Sequence, residues 1–123
     1  MSATDEPDLD AQYLAIGQKA LDYACDVMPR PRYKLADVGE NHRRFMLAFV
    51  GEVRYCLTQH ELSLEAIAQR AADAGCDAMP RPRVDLIQLC AGDGIYKAQL
   101  TMVRIIAREL GLEKAWTPTK SST

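Results

Sequence analysis

The sequence predicts an all-α domain of four main helices and two short ones. Two observations carry that prediction. Apolar residues recur at three- and four-residue intervals through four long stretches, about 8–28, 40–59, 63–78 and 93–110, the spacing of one helix face. The second is a duplication. Residues 15–35 (AIGQKALDYACDVMPRPRYKL) and 66–86 (AIAQRAADAGCDAMPRPRVDL) are identical at 13 of 21 positions with a constant offset of 51. The chain therefore reads as two copies of one unit, helix–MPRPR–short turn–helix. A pseudo-twofold arrangement is the natural way for two such units to bury like faces against each other. Two copies are too few for a solenoid, which needs about three or more.

Residues 1–7 read as a disordered acidic tail. Pro7 and Asp8 give a helix start, since proline suits the first turn and acids there favour the dipole. Leu9, Tyr13, Ile16, Ala20, Ala24 and Val27 form the expected inner face of the first helix. Pro29 and Pro31 end it, because proline lacks a donor and drives the preceding residue out of α geometry. One helical turn fits within Tyr33–Val38, and Gly39 breaks it. Asn41 is the expected N-cap of the second helix, whose apolar face is Phe45, Met46, Phe49, Val50, Val53 and Leu57. Leu47 and Ala48 fall outside that stripe, so this helix is expected to be covered on two sides.

The second copy, about 61–112 against 8–60 for the first, starts at a clear cap. Ser63 is the N-cap, Glu65 an acid in the first turn, and Leu62 and Ile67 are spaced as a hydrophobic staple. The inner face should be Leu64, Ile67, Ala71, Gly75 and Ala78, small enough for another helix to approach closely. After the second MPRPR, residues 84–91 read as a short helix closed by Gly92. Asp93 caps the fourth main helix, and Gly111 with Leu112 fits a Schellman ending. With a two-residue slip the offset becomes 53. Gly39, Leu47, Val50, Val53 and Leu57 then match Gly92, Leu100, Val103, Ile106 and Leu110. Residues 113–123 read as a flexible polar tail carrying the lone Trp116, which is expected to pack back on the bundle.

Composition narrows the function classes. The 123 residues suit one domain of globular composition, 48% hydrophobic and 26% charged. With eight aromatics, aliphatic side chains must fill most of the core. No apolar run approaches the roughly 20 residues of a membrane span, and the acidic start lacks a secretory h-region. The expected location is cytoplasmic. Net charge is −2, yet residues 1–10 hold four acids and no base, which leaves 13 acids and 15 bases beyond them. That mild excess does not by itself imply nucleic acid. Cys25, Cys56, Cys76 and Cys90 have no metal-knuckle spacing and read as small buried hydrophobes in a reducing compartment.

The MPRPR pair is the main candidate for chemistry. Arg30, Arg32, Arg81 and Arg83 sit on stiff, partly extended backbone, and guanidinium forks suit carboxylate or phosphate. The bland alternative is a rigid connector, with Met in the core and the arginines paired to acids such as Asp26 and Asp77. Arg43 and Arg44 join the candidates: with His42 they place positive charge in the first turn of the second helix, where the dipole disfavours it. SLEAIAQRA has the capped start of the first helix of a helix-turn-helix. Pro80 and Pro82 then fall where the recognition helix should be, which argues against that motif. Neither His42 nor His60 has a local nucleophile or carboxylate arrangement, CAGDG lacks a phosphate-loop lysine, and nothing calls for a metal or cofactor. Ile95, Met102 and Ile105 lie off the main stripe of the fourth helix, an apolar surplus suited to a homodimer or a partner. The sequence thus reads as a non-enzymatic regulator or adaptor acting through protein–protein contact. The runner-up is nucleic-acid binding through the same six arginines.

Overall fold

The computed structural model describes residues 9–59, 63–83 and 94–112. Four helices, α1 (Leu9–Val27), α2 (Glu40–Gln59), α3 (Leu64–Ala78) and α4 (Gly94–Glu109), make an all-helical fold with no strand among the described residues. A 3-10 turn, Leu35–Asp37, lies between α1 and α2. No helix among the described residues is long and apolar enough to cross a membrane. The expected short helix at 84–91, the Asp93 cap, the Leu62 contact of the staple and both tails lie outside the described residues.

The helix ends follow from local chemistry. Ser63 caps α3, its hydroxyl accepting from the Ala66 amide at 3.1 Å. At the far end of α4, Leu112 N–H donates to Ala107 O (2.9 Å) and Gly111 N–H to Arg108 O (3.1 Å), with Gly111 at φ 74°. That is a Schellman motif, and the left-handed residue is the one without a Cβ. Gly39, at φ 103°, turns the chain out of the 3-10 turn. α2 begins at Glu40 directly after it, so Asn41 lies inside the helix and is not its cap.

One continuous core joins all four helices. Phe49, Val50, Val53 and Cys56 of α2, Ile67 and Ala68 of α3, and Val103 and Ile106 of α4 are wholly buried, with Ala20, Ala24 and Cys25 of α1 beside them. Each large apolar side chain so buried contributes roughly 1.5–3 kcal/mol before the entropy of ordering is charged against it. The principal neighbour of α1 is α4, and that of α2 is α3.

The expected inner face of α1 needs correction. Its buried residues are Gly17, Ala20, Leu21, Ala24 and Cys25, while Leu9 and Val27 are exposed. The stripe is rotated towards α4 and α2, and Gly17 lets the α2 residue Met46 lie against the α1 backbone. On α3 the small face is used as expected. A Cβ built on Gly75 would stand 2.6 Å from the Phe45 ring, so α2 rests on a position that tolerates no side chain. Met102 and Ile105 are buried too, so these two side chains belong to the bundle core, while the side chain of Ile95 lies outside the described residues.

Candidate functional site

Each MPRPR stretch leaves its helix in the same way. Met28 N–H donates to Ala24 O and Arg30 N–H to Cys25 O; Met79 N–H donates to Gly75 O and Arg81 N–H to Cys76 O. The intervening prolines have no N–H, so the last carbonyls are closed by the residues on either side. The stiff backbone then sends its two arginines different ways.

The second arginine of each pentapeptide folds back onto its own helix. Arg32 Nε and Nη2 donate to Asp26 Oδ1 and Oδ2 at 3.1 and 2.7 Å. Arg83 makes the same fork on Asp77, again at 3.1 and 2.7 Å. The hydrogen-bonded guanidinium holds each aspartate below the usual carboxylate range and raises its own arginine in turn. All four groups are exposed, so solvent screening keeps these pairs weak as sources of stability. They fix direction more than they add energy.

The first arginine of each stretch points elsewhere. Arg30 and Arg81 line one cavity of about 270 Å³, and neither has an ion-pair partner among the described residues. Four methionines contribute to its wall: Met28 and Met79 from the two pentapeptides, Met46 from α2 and Met102 from α4. Leu21, Ala24, Leu35, Phe45 and Ala98 complete the aliphatic and phenyl lining. Thioethers suit such a wall because they are polarizable and adapt to irregular shapes.

Gln18, behind the lining, holds two of its residues in place. Its side-chain amide donates to Tyr33 O (2.8 Å) and to Asp22 Oδ1 (3.0 Å), and its oxygen accepts from Leu35 N–H (2.7 Å). These bonds tie the segment after the first MPRPR to α1 and bring Tyr33 and Leu35 to the cavity. His42 meets the Tyr33 ring edge-on, with centroids 6.4 Å apart and planes at 87°. Partial burial raises the Tyr33 hydroxyl pKa, and the nearby Arg30 opposes that rise. Gln99 of α4 also lines the cavity, and its side-chain oxygen is buried with no hydrogen-bond partner among the described residues.

Arg43 and Arg44 do not join this site. Both pair with Glu40, at 3.2 and 3.6 Å, which sets an acid at the start of α2 against the three basic residues of its first turn. Of the six arginines singled out from the sequence, Arg32, Arg43, Arg44 and Arg83 thus hold carboxylates, while Arg30 and Arg81 share the cavity. A second, shallower depression is lined by Glu52, Arg70, Asp73, Asp77 and Arg83, whose charges largely satisfy one another.

Tyr33, His42 and Gln99 were not singled out for binding, and Gln18 was not singled out at all. For Gln18 a signal existed: Gln18 and Asp22 match Gln69 and Asp73 in the duplicated stretch, and Gln69 donates to Asp73 at 2.9 Å just as Gln18 does to Asp22. Gln99 has no such signal, because a polar residue on an amphipathic helix reads as solvated.

Cys25, Cys56 and Cys76 are buried free thiols. Burial, aided by Glu52, pushes the Cys56 thiol up to about 11, with Arg70 acting in the opposite direction. Among the described residues no three His, Cys, Asp or Glu side chains gather as a metal site. Comparison with known proteins adds no relative: no family model, no curated protein and no solved structure matches this chain.

Proposed function

We propose that this chain is a small non-enzymatic binding protein, a regulator or adaptor working through protein–protein contact at the methionine-lined cavity. The observation that carries the reading is the shared position of Arg30 and Arg81. One comes from each MPRPR stretch, both line the same apolar cavity, and no carboxylate among the described residues neutralises either. An apolar wall beside exposed guanidiniums, with no carboxylate partner among the described residues, offers a partner both an apolar anchor point and a charge to pair. Nucleic-acid binding is the weaker reading, since four of the six candidate arginines already hold carboxylates. A phosphate backbone needs a continuous cationic track.

Within the same proposal, the domain is a tandem duplication packed about a pseudo-twofold axis. Support comes from the matched Arg–Asp forks, the matched Gln–Asp bonds and the matched closing bonds of α1 and α3. The pairing of α1 with α4 and α2 with α3 also follows such an axis, because each first helix meets the second helix of the other copy.

The test is purification from native cells with and without nuclease, comparing the natural chain with Arg30→Ala/Arg81→Ala. A specific protein lost from the double variant, with unchanged absorbance at 260 nm, is the expected result. Co-eluting nucleic acid that vanishes in the variant overturns the reading.

A further inference from the structure

We infer that the occupant of this cavity is the carboxy-terminal residue of a partner polypeptide, one with an apolar side chain. The inference rests on the protein-binding reading above and narrows it to one ligand chemistry.

Three features of the cavity must be matched together. Arg30 and Arg81 are exposed at the cavity and have no ion-pair partner among the described residues, so both forks are free to take a carboxylate. The wall of Met28, Met46, Met79 and Met102 asks for an apolar group with no polar atoms of its own. The buried oxygen of Gln99, unpartnered among the described residues, suits an N–H donor, since an orphaned buried acceptor costs roughly 1–3 kcal/mol. A chain-terminal residue carries all three on one α-carbon: carboxylate, side chain and peptide N–H.

Size supports the same occupant. At about 270 Å³ the cavity lies just below the usual roughly 300–1,000 Å³ of cofactor and drug-sized sites. It has room for one anchoring residue. A fatty acid of similar length would satisfy the cations and the wall and leave Gln99 unpaired. An internal acidic residue would bring its carboxylate on the side chain, with no second side chain to fill the methionine wall.

The experiment uses the full chain and an array of decapeptides, randomised except for the last residue. Each is made as the free acid and as the carboxamide, with octanoate in solution as a comparison. Free acids ending in Leu, Ile, Met, Val or Phe are expected to bind. Their carboxamides should bind about tenfold or more weakly, the loss expected for a charge-assisted pair. Arg30→Ala and Arg81→Ala should each weaken the free acid by a similar factor while leaving the helical circular dichroism unchanged. Gln99→Leu should weaken peptide and leave octanoate untouched. Equal binding of acids and carboxamides overturns the inference, as does octanoate competing as well as the best peptide. If no peptide binds while native purification still yields a protein lost from the double variant, the terminal-residue inference fails and the protein-binding reading stands. If that protein is absent as well, both fail.

Discussion

At the scale of single residues, the two arginines of each MPRPR stretch have opposite fates, and the carboxyl that the second arginine holds reports its pairing. The Asp26 and Asp77 carboxyls are depressed chiefly by the hydrogen-bonded guanidiniums of Arg32 and Arg83. A depressed carboxyl contributes stability that is present above its unfolded pKa and is lost as pH falls through the lower folded value. Because both carboxyls are fully exposed, that contribution is small, and the midpoint itself is the better readout. Carbon-detected NMR titration of Asp26 should show a midpoint below the usual carboxylate range. Arg32→Ala should return it to that range and leave Asp77 unmoved, since each fork lies on its own helix. Cys56 offers a second residue-scale check. With its thiol raised to about 11 and its sulfur wholly buried, it should resist iodoacetamide in the native protein at pH 8 and react on denaturation. Alkylation of native Cys56 at the rate of a free thiol would contradict this placement. The Arg–Asp pairing was legible in the sequence as an alternative, because Asp26 and Asp77 repeat at the same spacing from the second arginine. The separation of Arg30 from Arg32 was not legible, because alternating letters do not say which side of an extended backbone meets a cavity.

At the scale of elements, helix boundaries follow local signals closely, while helix faces depend on neighbours. The α3 cap, the Gly39 break and the Schellman end of α4 each rest on bonds within a few residues, and the sequence carries all three. The inner face of α1 is legible only in part: Ala20 and Ala24 are buried as expected, while Leu9 and Val27 are exposed. Gly17 reads as a weak helix former, yet it gives Met46 access to the α1 backbone and turns Leu21 inward. Two substitutions measure these effects. Ser63→Ala removes the acceptor of the Ala66 amide and should cost about 1 kcal/mol in denaturant unfolding. Gly75→Ala forces a methyl towards the Phe45 ring, 2.6 Å away, and such overpacking costs about 1–3 kcal/mol. The gain in helix propensity, at most about 1 kcal/mol, does not offset it. Gly75→Ala should therefore lower Tm, and adding Phe45→Leu should recover part of the loss. A Gly75→Ala protein more stable than the parent would show that α2 does not rest on α3 at this point.

At the scale of the whole molecule, the pairing of helices decides how the chain folds. α1 finds its main neighbour in α4, and α2 in α3, so the largest interfaces run between the halves of the sequence. Cross-half ion pairs follow the same scheme: Lys19 of α1 meets Glu109 of α4 at 3.1 Å, and Arg70 of α3 meets Glu52 of α2 at 3.2 Å. The cavity depends on this interlocking, because Met28 and Arg30 come from one half and Met79, Arg81 and Met102 from the other. A half expressed alone would expose the face that its partner covers, and an isolated helical hairpin without that cover is marginal. Fragments 1–60 and 61–123 should each show little helical circular dichroism at low micromolar concentration. Mixed at equal concentration, they should recover the helix content of the intact chain. Recovery should fall with dilution, because association now carries a translational cost that the connecting chain normally removes. Two fragments that fold separately as monomers would show that each half is a domain in its own right. The cavity would then be a seam between domains, and its shape would vary with their docking. The single core cluster, to which all four helices contribute, argues for the interlocked alternative, in which folding the bundle and building the cavity are one cooperative event.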